Sequence, residues 1–113
     1  AKWTDFMIGQ ILMNSIKYRN GNPCLKICGL QNANSVTLIL EDNGIGIPKK
    51  DLGRVFEKGF TGENGRRTAK STGIGLYLCK KLCDKLNLGI SIASTENSGT
   101  MVSLVFPKSN MYL

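Results

Sequence analysis

Gln10, Asn14, Lys17 and Tyr18 stand at i, i+4, i+7 and i+8, a spacing that puts them on one face of a helix. They bring two amides, an ammonium and a phenol to one region of space. Neutral amide oxygens suit a magnesium ion when phosphate oxygens supply the balancing charge, because that ion keeps few protein ligands. Taken alone, the same four residues also describe a solvated helix face.

The tripeptide Gly-Ile-Gly occurs twice. The first copy, in "EDNGIGIP" (residues 41–48), follows Asp42 at the end of a predicted strand. A carboxylate there, beside glycines that admit close backbone approach, accepts from an exocyclic amine. Such a charge-assisted bond contributes roughly 1.5–3 kcal/mol. It favours adenine over guanine, which presents a carbonyl at the same position. The second copy, Gly73-Ile74-Gly75 in "STGIGLYL" (71–78), runs into a helix. Exposed N–H groups and the positive end of the helix make that loop an anion site. Neither copy is a Walker loop or the dinucleotide fingerprint, because the Gly-Lys-Ser/Thr order and the strand–loop–helix context are missing. Thr100, entering the last strand after Gly99, adds a hydroxyl to the base-side set.

Those residues need a scaffold, and 113 residues with 42% apolar content suffice for one domain with a single core. Fifteen basic and eight acidic residues give a net charge of +7, which favours anionic partners. Residues 49–70 hold seven of the basic residues against three acidic, so the excess lies between the two glycine loops. There is no histidine, which excludes Ser-His-Asp and Cys-His nucleophilic chemistry and His-bearing zinc sites within this chain. No apolar run approaches the roughly 18 residues of a membrane span. The four cysteines form two Cys-x3-Cys pairs, Cys24/Cys28 and Cys79/Cys83. Both sit in regular elements rather than in the tight knuckles of zinc sites, and both are expected as buried free thiols of a reducing compartment.

Residues 5–18 predict a helix capped by Thr4 or Asp5, with Phe6, Ile8, Ile11, Leu12 and Ile16 as its apolar side. "CLKICGL" and "SVTLILED", joined by "QNAN", predict an antiparallel hairpin. A short helix is expected around 50–56 and a longer one over "GLYLCKKLCDKL" (75–86). A closing hairpin of "GISIAST" and "TMVSLVF" turns at "ENSG". This order predicts an α+β two-layer sandwich, a mixed and mostly antiparallel sheet under about three helices.

In this order, "QILMNSIKY", "EDNGIGIP", "RVFEKGFTG", "STGIGLYL" and "GTMVSLVFP" resemble the N box, first glycine box, F box, second glycine box and closing strand of one family. It is the catalytic ATP-binding domain of sensor histidine kinases, within the GHKL or Bergerat ATPase superfamily. The resemblance covers nearly the whole chain. "GFTGENGR" before "TGIGLYL" is further similar to membrane-bound sensors of envelope stress and antimicrobial peptides. The resemblance implies that Asn14 ligates Mg²⁺, that Gln10 assists it, that Lys17 contacts phosphate and that Tyr18 packs near the nucleotide. Asp42 would bind the adenine amine, with Gly44, Ile45 and Gly46 shaping the base pocket and Thr100 sharing its water network. Thr72, Gly73, Ile74, Gly75 and Leu76 would form the phosphate-side wall. Phe56 and Phe60 would anchor a lid over 59–72, whose Arg66, Arg67 and Lys70 lie within reach of the γ-phosphate. Arg66 is grouped with Gln10, Asn14 and Lys17 as catalytic, although motif alone does not fix which basic residue makes that contact.

Superfamily members that hydrolyse ATP carry a glutamate four residues before the metal asparagine. Gln10 occupies that position and cannot take a proton near neutral pH. The expectation is therefore a domain that binds ATP and Mg²⁺ and holds the γ-phosphoryl for a histidine elsewhere. The implied partners are the phosphoacceptor and dimerisation domain of the same parent, and through it a response regulator. The parent is expected as a membrane-anchored homodimer, with this single domain (1–113) cytoplasmic and monomeric. A strand that precedes the N box in the family is expected to be clipped. Two other readings stand beside this one: a serine kinase of the anti-sigma type with the same fold, and a basic module binding nucleic acid. Sparse aromatics in the charged segments weigh against nucleic acid.

Overall fold

The computed structural model describes residues 2–60 and 75–108. Helix α1 (Lys2–Lys17) is followed by strands β1 (Leu25–Gln31) and β2 (Ser35–Asp42) and a one-turn helix α2 (Lys49–Leu52). Helix α3 (Gly75–Leu86) and strands β3 (Gly89–Thr95) and β4 (Gly99–Pro107) complete the described chain. The sheet order is β1-β2-β4-β3. Every pairing among the described residues is antiparallel, so the parallel part of the expected mixed sheet is not among them.

The register sorts the strand residues into two faces. Leu40 lies opposite Val102, and Leu38 opposite Leu104. Ile90 and Ile92 continue the same face across β3. Against it pack Met7 and Ile11 of α1 and Cys79 and Cys83 of α3, giving one core with Leu40, Val102 and Leu104. Each buried Met, Ile, Leu or Val of this set contributes about 1.5–3 kcal/mol of transfer free energy.

The two helices achieve burial differently. On α3, Cys79 and Cys83 sit one turn apart on a face otherwise flanked by Leu76, Leu82 and Leu86, while Lys80, Lys81 and Asp84 point away. Its C-terminus closes as expected: Asn87 adopts φ 58 and the Leu88 N–H donates to the Cys83 carbonyl at 2.8 Å.

Helix α1 departs from the expected one in bounds and phase. It starts at Lys2 rather than at a Thr4 or Asp5 cap, since nothing in "KWTD" breaks a helix. Its buried residues are Met7, Ile11 and Ser15, a strict four-residue stripe. Of the expected apolar side only Ile11 is buried and Ile8 partly so. Phe6, Leu12 and Ile16 are exposed, with Trp3 and Met13. The helix is apolar nearly all round, so periodicity did not single out the side that meets the sheet.

The β1 strand corrects a second expectation. Cys24 and Cys28 are free but exposed, whereas Cys79 and Cys83 are free and buried. Cys28 lies opposite Ile39, on the sheet face that carries no helices, and β1 is an edge strand with every residue after Leu25 exposed. Ile27 shares the helix side with Leu40 yet is 56% exposed, because the helical layer does not extend over it. The short helix is also tighter than expected: it ends at Leu52 and continues as turns.

Candidate functional site

Asp42 is the last residue of β2, and the chain leaves it at once into the first glycine loop. Its side chain turns that corner: Oδ1 accepts from the Gly44 N–H at 2.9 Å, an Asx turn that the short carboxylate makes at little entropic cost. The same oxygen accepts from the Thr100 N–H at 3.1 Å. The other oxygen, Oδ2, receives the Ser15 hydroxyl at 3.0 Å. The carboxylate is therefore gripped by the loop, by β4 and by α1.

The loop is clamped on both sides. The Ile45 N–H donates to the Tyr18 carbonyl at 3.0 Å, and the Ile45 carbonyl accepts from the Asn97 N–H at 2.7 Å. Thus Ile45 ties the end of α1 to the β3–β4 turn. Gly44 and Gly46 are buried for a steric reason. A side chain on Gly44 would press the Tyr18 carbonyl oxygen at 2.6 Å. Gly46 has φ 73, and a side chain there would overlap the Thr95 carbonyl oxygen. Asn43 secures the outer edge, its Oδ1 accepting from the Cys24 N–H at 2.8 Å and its amide donating to the Asn22 carbonyl at 3.1 Å.

Thr100 has a second partner. Its hydroxyl lies 2.9 Å from Ser94 Oγ. Ser94 Oγ also accepts from the Ile47 N–H at 2.8 Å and donates to the Gly99 carbonyl at 2.7 Å. With the Ser94 proton committed to Gly99, the Thr100 hydroxyl donates to Ser94, and its lone pairs remain as acceptors near Asp42.

Gln10, Asn14, Lys17 and Tyr18 are all half-buried, and Ser15, next to Asn14, anchors that helix to Asp42. At the other end Gln10 reaches the start of α3, where a side chain on Gly75 would come 2.7 Å from its Oε1. Leu76 follows on the first turn of α3. The structure thus brings Gln10, Asn14, Lys17, Tyr18, Asp42, Gly44, Ile45, Gly46, Gly75, Leu76 and Thr100 around the α1–loop–α3 side of the sheet. Phe56 is half-buried beyond α2, and Phe60 lies under the Arg54 guanidinium at 4.5 Å. Arg66, Arg67, Lys70, Thr72, Gly73 and Ile74 lie outside the described residues, as does the lid beyond Phe60.

No group of three metal-ligating His, Cys, Asp or Glu side chains occurs among the described residues. A cation here would rely on an amide oxygen and on its ligand's own oxygens, which is the set Asn14 offers to Mg²⁺. A shallow depression of about 240 Å³ opens at this end of the sheet, lined by Asp42, Ser94, Gly99 and Thr100 together with Glu41, Ala93 and Met101 from the helix-free face. Burial, with Cys83 nearby, pushes the Cys79 thiol up to about 12, and burial and Asp84 raise Cys83 against the opposing pull of Lys80. These thiols are core groups with no part in the site. Beyond the loop, Arg54 pairs with Glu57 at 3.1 Å.

Sequence reasoning did not single out Ser15, Ser94 or Asn43. Two of them carried a legible signal. Ser15 is a hydroxyl on the 7–11–15 buried stripe, and Ser94 continues the inward Ile90–Ile92 alternation with a polar residue.

Three comparisons with known proteins bear on this geometry. The family described as "Histidine kinase-, DNA gyrase B-, and HSP90-like ATPase" matches residues 3–110. The chain is 44% identical over 107 residues to the sensor histidine kinase YxdK of Bacillus subtilis, spanning 94% of this chain and 33% of that protein. It is 45% identical over 110 residues to the sensor histidine kinase GraS of Staphylococcus haemolyticus, spanning 97% and 32%. The chain thus spans about a third of the curated relatives it matches. Among solved structures, a mycobacterial sensor histidine kinase, MprB, superposes with a TM-score of 0.82 at 22% identity, over 94% of this chain and 72% of that one. The catalytic domain of the histidine kinase ThkA superposes with a TM-score of 0.77 at 24% identity, over 95% and 68%. At those identities the superpositions show a shared fold.

Proposed function

The chain belongs to the histidine kinase-, DNA gyrase B- and HSP90-like ATPase family, and from that premise we propose that it binds ATP with Mg²⁺ and presents the γ-phosphoryl to a histidine on a separate domain of a sensor kinase. The observation that carries this reading is the Asp42 carboxylate, held by three donors from three elements at the mouth of a loop shaped by Gly44 and Gly46. It is a fixed acceptor for an exocyclic amine.

Each residue has a task in the proposal. Asp42 selects adenine, and Thr100 offers acceptor lone pairs at the same end. Asn14, next to Ser15 on α1, would hold the cation through its amide oxygen, and Lys17 would neutralise phosphate charge. When bound, Mg²⁺ screens the phosphate oxygens and fixes their orientation. The N-terminus of α3 at Gly75 and Leu76 adds backbone N–H groups to the phosphate end. Gln10, against Gly75, fills the place from which a carboxylate would activate water, so the phosphoryl group is kept from hydrolysis. Phosphoryl transfer asks chiefly for positioning and charge neutralisation, and this set supplies both. Arg66, Lys70 and Thr72 belong to the proposal as closing contacts on the phosphates. The acceptor domain, a response regulator and a cytoplasmic setting under a membrane-anchored dimeric parent are proposed from the relatives' names. Among the described residues no helix is long and apolar enough to cross a membrane.

Calorimetric titration with ATP and Mg²⁺ tests the binding, and folded protein that takes up no heat at millimolar nucleotide sinks the proposal. Transfer is tested by supplying the histidine-bearing domain of a relative and radiolabelled ATP. Acid-labile label on that domain supports a histidine acceptor, and acid-stable label on a partner protein instead points to serine.

A further inference from the structure

An ionised carboxylate has about four lone-pair directions. On Asp42, Oδ1 spends two of them on the Gly44 and Thr100 N–H groups, and Oδ2 spends one on the Ser15 hydroxyl. Among the described residues a single direction, on Oδ2, remains. The two backbone donors both hold Oδ1, so Oδ2 is held only indirectly, through the side chain's two torsions. Ser15 supplies the second point of attachment.

Ser15 is 6% exposed and has one proton with two acceptors in reach, the Ile11 carbonyl at 3.1 Å and Asp42 Oδ2 at 3.0 Å. The Ile11 carbonyl is a neutral mid-helix acceptor, while the carboxylate is charged and forms the stronger bond. The proton therefore goes to Asp42. It also comes from the residue directly after Asn14, so one turn of α1 carries both the proposed cation ligand and the group that aims the base-reading carboxylate.

We infer that Ser15 is a positioning residue for nucleotide selection: its hydroxyl turns Asp42 Oδ2 so that the one open lone pair meets the purine's exocyclic amine. The inference rests on the ATP reading above and deepens it, because it names what makes the carboxylate selective rather than merely acidic. A hydroxyl that only filled space, or only satisfied the helix, would treat a purine with and without the amine alike.

The test compares ATP with purine riboside triphosphate, which lacks that amine, by calorimetry on wild type and Ser15→Ala, with thermal melts of both proteins. Ser15→Cys, which keeps one heavy atom beyond Cβ but weakens the donor, serves as the second variant. Wild type is expected to prefer ATP. In either variant ATP affinity falls about five- to tenfold, while affinity for the amine-free analogue changes by less than about twofold. Ser15→Thr, which restores a hydroxyl, recovers the preference. Equal loss for both nucleotides, or no loss for either, overturns the role of Ser15 while leaving the ATP reading intact. A wild type that binds neither nucleotide overturns both.

Discussion

A methyl group placed on Gly75 would stand 2.7 Å from the Gln10 side-chain oxygen, so the first residue of α3 and the third turn of α1 share one small volume. What obstructs the methyl is the far end of a flexible side chain, which can turn away. Gly75→Ala is therefore expected to keep the fold, with a stability change within about 1 kcal/mol, while displacing Gln10 from its place beside α3. Thermal melts check the first part. Severalfold weaker binding of ATP with Mg²⁺, by calorimetry, checks the second.

Glycines in the loop and at the β3–β4 turn face backbone instead. Gly46 at φ 73 would overlap the Thr95 carbonyl oxygen, and Gly99 at φ 126 would overlap that of Asp42. Neither carbonyl can move without opening the sheet end. The left-handed conformation alone costs about 1–2 kcal/mol for a residue with a Cβ, so Gly46→Ala and Gly99→Ala are each expected to lose about 3 kcal/mol or more. Gly53, with φ −70 and nothing within 4 Å, is the control, expected within about 0.5 kcal/mol. Urea denaturation of the three variants measures this series.

Asp42→Asn keeps an oxygen for the Gly44 and Thr100 N–H groups and replaces the acceptor that faces Ser15 by a donor. The fold is expected to survive with a loss of about 1–2 kcal/mol. ATP affinity is expected to drop by about one to two orders of magnitude, the equivalent of one charge-assisted bond. Titration of a protein whose circular dichroism matches wild type decides the matter.

Removal of the metal should be equivalent to removal of its amide ligand. In wild type, chelating Mg²⁺ is expected to weaken ATP binding. In Asn14→Ala, binding in the presence of Mg²⁺ should already be at the chelated level and respond little to further chelation. A variant that keeps the full Mg²⁺ effect would remove Asn14 from the cation.

The core thiols give a pH signature. Cys79 is held up to about 12 from an ordinary 9.0, chiefly by burial and then by Cys83. Folding therefore favours the protonated form. The stability this confers is fully present below about pH 9, and it declines as pH rises toward about 12, where the unfolded chain binds fewer protons than the folded one. Denaturation midpoints from pH 8 to 11 are expected to fall, and to fall less steeply in Cys79→Ala than in wild type. At pH 8 a thiol-reactive dye should label Cys24 and Cys28 quickly and the other two only after denaturant is added.

Legibility in the sequence followed how many independent signals converged on an element. Helix α3 was readable to the residue because a glycine opens it, an asparagine in the left-handed region ends it, and Leu76, Cys79, Leu82, Cys83 and Leu86 keep one side, with Leu78 exposed. The β1–β2 and β3–β4 hairpins were readable from alternation and turn chemistry. Helix α1 was readable as a helix but not in its phase, since Phe6, Leu12, Met13 and Ile16 offer the same hydrophobicity to solvent that Met7 and Ile11 offer to the core. That error in phase concealed Ser15. Cys24 and Cys28 were misjudged because burial of a strand depends on what lies over it, and a linear pattern does not say that β1 is an edge. The placement of Asp42, the glycine loop and Thr100 around one point was legible through motif order, whereas the three donors that orient the carboxylate come from tertiary register.

The sheet order β1-β2-β4-β3 has a consequence for the folding path. Each outer pair is a local hairpin, but the central seam joins Ser35 to Pro107 and Glu41 to Met101, residues from opposite halves of the chain. Closing so long a loop is entropically costly, and such non-local pairing tends to form late. Asp42 sits on one side of that seam and the Thr100 N–H on the other. A chain with both hairpins formed but the seam open would lack the Asp42–Thr100 bond, so a nucleotide bound there as proposed would stabilise the seam.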